Sequence, residues 1–149
     1  METRFTAFTV LIAKIGRAIH KIKTEEMAEF NLKSSHVTCL YYLYKTGGIT
    51  AKELRDISSE DKSNISRAIK HLEGEGYLYC NTSKAKRYQD VIRLTDKGAD
   101  LGKRLAQKID RIEAAAGRFV SDDEREVLYK SLASICDNLE AICGDYDRK

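Results

Sequence analysis

Asp61-Lys62-Ser63-Asn64-Ile65-Ser66-Arg67, running on through Ala68-Ile69-Lys70-His71-Leu72, is the stretch on which the fold turns. Ile65, Ile69 and Leu72 are spaced four and three apart, which predicts the inward face of a helix over 62–74. The other positions carry Lys62, Ser63, Asn64, Ser66, Arg67 and Lys70, hydrogen-bonding and cationic side chains gathered toward the helix N-terminus. Such side chains can meet phosphates and base edges, arginine pairing with guanine and asparagine with adenine through two bonds each. The N-terminus adds free amides and the positive end of the dipole, which favour a phosphate. A solvated helix face has a similar composition, so the neighbouring segments decide.

Upstream, Thr50-Ala-Lys-Glu53 is a capping box: the threonine accepts from the amide three residues on, and the glutamate reaches back. It opens a short helix to about Ile57 with Leu54 and Ile57 inward, followed by the polar turn Ser58-Ser59-Glu60-Asp61. Two short helices about a polar turn make a helix-turn-helix. After Gly76 the period changes, and Tyr77–Asn81 and Asp90–Leu94 predict two strands. The connection Thr82-Ser-Lys-Ala-Lys-Arg-Tyr-Gln89 makes the hairpin a basic projection, a wing, with Lys86 and Arg87 as candidate DNA contacts.

Farther out the chain is helical. Phe8, Ile12, Ile15, Ile19 and Ile22 form one apolar stripe on a helix expected from Thr3 to Phe30. Ser34 or Ser35 is expected to cap a second helix with Val37, Leu40, Tyr41 and Tyr44 on its apolar face, ended by Gly47-Gly48. Thr95-Asp96 caps a long helix bearing Leu101, Leu105, Ile109, Ile112 and Ala116. Ser121-Asp-Asp-Glu124 is a second capping box, and it opens a last helix with Leu128, Leu132, Ile135, Leu139 and Ile142 on one face. A core between Ser34 and Thr95 cannot cover both terminal stripes, which predicts a twofold dimer seam.

Composition agrees. The 149 residues, 42% of them hydrophobic, suffice for one domain with its own core and exclude a disordered tail. The absence of proline lets long helices run. No apolar run approaches the roughly 18–20 residues that cross a bilayer. Phe5–Ile15 is broken by Thr6, Thr9 and Lys14, so it does not read as a secretory signal, and the expected location is the cytoplasm. The net charge of +3 says little by itself. Its distribution says more: residues 62–93 hold seven Lys/Arg against three acids, whereas 121–149 hold four against eight.

Neither a nucleophile with its base, nor paired carboxylates, nor a phosphate-cradling glycine loop is present, so no enzyme is expected. Cys39, Cys80, Cys136 and Cys143 contain no CxxC pair and read as reduced thiols. Cys39 is expected to be a semi-buried core residue and His71 an exposed one. His36 and Cys39 could offer two metal ligands, but without CxxC or HxxxH neither a metal nor another cofactor is expected.

In order and spacing, Thr50-Ala-Lys-Glu-Leu54, Asp61–Arg67, Leu72-Glu-Gly-Glu-Gly-Tyr-Leu78 and Leu94-Thr-Asp-Lys-Gly98 resemble the MarR family of winged helix-turn-helix transcriptional regulators. The resemblance spans nearly the whole chain. It implies a mainly α fold over 1–149, with a winged helix-turn-helix core at 34–95 and dimerisation helices at 1–30 and 96–149. It further implies a homodimer on double-stranded DNA with an inverted-repeat operator, repression as the default, and release by a small-molecule effector. His20, His36, Tyr41 and Tyr42 are the candidate effector-pocket residues. One departure is in the wing, where the family places Asp-x-Arg and this chain has Lys84-Ala-Lys-Arg-Tyr88, with no aspartate to orient Arg87. Two alternatives share the fold: a thiol-based redox regulator using Cys39 or the C-terminal pair, and a protein-interaction module without DNA binding. The sensor cysteine that some relatives carry in the N-terminal helix is absent before Cys39, and the basic wing favours DNA.

Overall fold

A computed structural model describes residues 4–58, 60–81 and 89–148. Helix α1 spans Arg4–Met27 and passes into a 3-10 turn, Ala28–Phe30. Asn31 in the left-handed conformation closes it, and the first helix ends at Met27 rather than at the expected Phe30. Helix α2 (Ser34–Thr46) begins one residue before the expected serine cap, with Lys33 at the cap position. Neither Ser34 nor Ser35 supplies the cap bond. Instead the His36 ring accepts the Lys33 N–H through Nδ1 at 3.0 Å.

Strand β1 (Ile49–Thr50), α3 (Ala51–Ser58), α4 (Lys62–Gly74), β2 (Leu78–Cys80), β3 (Val91–Leu94), α5 (Asp96–Ala116) and α6 (Asp122–Asp147) follow. Both predicted capping boxes form. Glu53 Oε2 accepts from Thr50 N at 2.8 Å while Thr50 Oγ1 accepts from Glu53 N, and Ser121 and Glu124 repeat the pattern at α6. Each exposed carboxyl is held below its usual range by the amide and hydroxyl it accepts from.

The sheet is antiparallel with order β1-β3-β2, and β1 was not expected from the sequence. Ile92 pairs with Ile49 on one side and Cys80 on the other. Gly48 makes the approach of β1 feasible: its φ is +151°, and a Cβ there would lie 3.0 Å from Val91 Cγ1.

The core is built around α2. Val37, Cys39, Leu40 and Leu43 are buried with Leu54, Ile65, Ala68, Leu72, Leu78, Ile92, Leu101 and Leu105. Each large aliphatic side chain in that set contributes about 1.5–3 kcal/mol by leaving water. Ile57 departs from expectation. It is 46% exposed, because two successive three-residue steps at 3.6 residues per turn carry it off the face that Ala51 and Leu54 bury. The chain divides into two compact units, one through Ile109 and one from Asp110 on. Within the first, Lys108 pairs with Glu26 at 2.8 Å, and Arg104 lies over the Phe30 ring at 4.8 Å. Among the described residues no helix is long and apolar enough to cross a membrane.

Candidate nucleic-acid interface

Helix α4 is fixed from within by Ile65, Ala68 and Leu72, all buried, with Ile69 half-buried at the edge of that face. The opposite side is thereby committed to solvent, and Ser63, Ser66, Arg67 and Lys70 are exposed there, while Lys62 is exposed at the start of the helix. Asn64 differs. At 100° per residue it falls on the flank of the helix, and it is only half-exposed. Six candidate residues therefore lie on one element, four of them facing outward.

The start of α4 is not the anion site that its free amides suggested. Asp61 is the N-cap, and its carboxylate accepts from Asn64 N at 2.7 Å. A negative side chain already occupies the positive end of the dipole, so phosphate contact falls to the cations rather than to the amides. Downstream, Asn64 is bonded on both edges of its amide. Its Nδ2 donates to Glu60 Oε2 at 3.4 Å, and its Oδ1 accepts from Arg67 Nη2.

The other flank residue of α4, His71, is half-buried rather than exposed, and it stacks on His36 with centroids 4.2 Å apart and planes within 4°. His36 is thus engaged between the start of α2 and α4, by burial and stacking, rather than standing open to a ligand. Burial, His71 and the Lys33 charge push its pKa down to about 4. Of the remaining effector-pocket candidates, His20 is exposed on α1, while Tyr41 and Tyr42 are half-buried and meet edge to face at 5.4 Å.

Behind the turn that precedes α4 lies a polar cluster that the sequence did not reveal. Lys23 Nζ of α1 donates to Thr38 Oγ1 of α2 at 3.0 Å, and Thr38 Oγ1 donates to Ser34 O. Burial lowers the Lys23 pKa, and the nearby Glu60 carboxylate works against that shift. Burial, with help from Glu60, pushes the Cys39 thiol up to about 12. Cys39 is fully buried, more so than expected, and a thiol in that state forms no thiolate near neutral pH. Cys136 and Cys143 are exposed on α6, where Glu140 raises the Cys136 thiol.

The wing strands are β2 and β3, each shorter than expected, and Arg93 of β3 donates to Gly47 O at 3.1 Å. Lys86 and Arg87, the candidate wing contacts, lie outside the described residues. The motif that follows has a physical basis. Thr95 Oγ1 accepts from Gly98 N and donates to Gly76 O, and Thr95 N bonds Tyr77 O at 3.1 Å. Gly98 sits so close to that strand entrance that a Cβ would lie 1.8 Å from Tyr77 O.

The terminal stripes are exposed. On α1, Ile12, Ile15 and Ile19 are exposed and Phe8 is half-buried. On α6, Leu128 and Ile142 are 48% and 49% exposed, Ile135 and Leu139 are exposed too, and Leu132 is half-buried.

The winged helix DNA-binding domain family matches residues 36–112. The uncharacterized HTH-type transcriptional regulator YwaE of Bacillus subtilis (strain 168) is 24% identical over 119 residues, 80% of this chain and 70% of that protein. A MarR family regulator from Neisseria meningitidis has the same fold at a TM-score of 0.83 and 18% identity, covering 97% of this chain and 99% of that one. A MarR family transcriptional regulator from Listeria monocytogenes complexed with 26mer DNA is 26% identical at a TM-score of 0.76, covering 93% and 90%.

Proposed function

The chain belongs to the winged helix DNA-binding domain family and is a DNA-binding transcription regulator with the MarR architecture; from this we propose that it binds an inverted-repeat operator as a homodimer and represses by occluding the promoter. The observation that carries this is the outward face of α4, where Ser63, Ser66, Arg67 and Lys70 stand exposed on a helix locked by three buried side chains. A rigid helix offering a guanidinium and an ammonium suits the major groove, with Arg67 directed to a guanine edge and Lys70 and Lys62 to phosphates. The bound relative from Listeria monocytogenes supports the same choice of partner. The residues of the wing, Lys86 and Arg87, add cations along the flanking backbone.

Dimerisation follows from the stripes on α1 and α6. They expose large aliphatic side chains in regular helical register, and a second copy related by a twofold axis gives each stripe a partner. Such a dimer presents two copies of α4, which calls for two half-sites about 10 base pairs apart. A small-molecule effector would release the DNA, and the Tyr41–Tyr42 pair on α2 is the aromatic surface available to it. The protein then works in the cytoplasm, where the DNA is.

Selection of binding sequences from a random duplex library by the full chain tests this. The expected product is an inverted repeat with that spacing. Enrichment of an unpaired half-site, or of no sequence, would overturn it.

A further inference from the structure

Asn64 was expected to read adenine, which requires both its amide oxygen and its amide nitrogen to face the base. Here both edges are committed within the protein, and the helix places the residue on the flank of α4 rather than on its outward face. The two neighbours also fix the amide's sense. Oδ1 must face the Arg67 guanidinium and Nδ2 the Glu60 carboxylate, because the reverse would set donor against donor and acceptor against acceptor. Glu60 is half-buried in the turn that leads into α4, and its backbone N–H donates to Ser58 Oγ at 3.4 Å. Arg67 spends one of its five guanidinium donors on Asn64, which leaves a bidentate face for a guanine.

We propose that Asn64 is a positioning residue rather than a base reader: anchored by Glu60, it holds the Arg67 guanidinium in the orientation that reads a guanine. This rests on the proposed DNA-reading role of α4 and deepens it, since it assigns the specificity of this helix to Arg67 alone and gives Asn64 and Glu60 an indirect part.

The test uses the full chain and the operator that it selects from a random duplex library. Each base pair of the half-site is varied in turn, and affinities are measured for wild type, Arg67→Ala, Asn64→Ala and the double variant. Arg67→Ala should lose roughly 5- to 100-fold of discrimination at one G·C pair. Asn64→Ala should lose discrimination at that same pair, to a smaller extent, and the double variant should be no worse than Arg67→Ala. Exchanging donor and acceptor by Glu60→Gln together with Asn64→Asp keeps both contacts, so discrimination at that pair should survive even if overall affinity falls. If Asn64→Ala instead relaxes a separate A·T pair, additively with Arg67→Ala, Asn64 reads a base itself and the inference fails while the function stands. No loss of discrimination in Asn64→Ala would also overturn it. A loss in Arg67→Ala that is equal for every duplex would overturn both this inference and the reading role of α4.

Discussion

At His36, three influences disfavour the charged ring: burial, the stacked His71 and the Lys33 ammonium. The neutral ring is also the one that the fold uses, because Nδ1 must stay unprotonated to accept the Lys33 N–H. Its pKa of about 4 in the folded chain lies below the 6.5 of an unperturbed ring. The sign follows: this contribution to stability is complete above pH 6.5, declines as pH falls toward 4, and is constant below. Denaturant midpoints at pH 7 and pH 5 should therefore fall for the wild type. They should fall less for His36→Asn, which keeps an acceptor but has no proton to gain. An equal fall in both would show that another group is responsible. None of this was legible in the sequence, where His36 read as a polar aromatic suited to a pocket. Its actual role depends on Lys33 and on His71, which tertiary packing brings from another helix. Asn64 makes a related point: residue type suggests adenine, but the flank position and the two amide bonds appear only once α4 meets the Glu60 turn.

Elements were more legible where the signal is local. The capping boxes at Thr50 and Ser121 formed because both partners lie within one turn of each other, and α6 runs unbroken through 26 residues. Strand β1 was missed because two residues carry no period, and its pairing partner is some forty positions away in β3. The junction between β2 and α5 shows what local motifs conceal. Gly98 reads as one small residue in a helix, where alanine would ordinarily gain up to about 1 kcal/mol. Tyr77 O reverses the sign, since a Cβ cannot share its space. Gly98→Ala should thus destabilise the fold by roughly 1–3 kcal/mol. Gly16 on α1 has nothing within 4 Å of a built Cβ, so Gly16→Ala should stabilise by about 0.5–1 kcal/mol. Urea unfolding of the two variants checks the contrast, and a destabilised Gly16→Ala beside an unaffected Gly98→Ala would contradict it.

For the whole molecule, fold class and order of elements were legible because apolar spacing, caps and the switch of period at Gly76 all point to one arrangement. Spacing also marks the two terminal stripes, whose side chains are largely exposed and which the proposed dimer uses as its seam. Leu132 and Leu139 lie on the α6 stripe, so converting both to glutamate should dissociate the proposed dimer and abolish operator binding together. Sedimentation reads the first effect, and a variant that stays dimeric would remove α6 from the seam. Specific recognition by two copies of α4 remains the claim on which everything else depends. Fluorescence anisotropy with the selected operator and a scrambled duplex of equal length, at one salt concentration, tests it most directly. The operator should bind at least about 10³-fold more tightly and saturate at two chains per duplex. Equal affinity for the two duplexes would mean that the cations of α4 hold DNA without reading it.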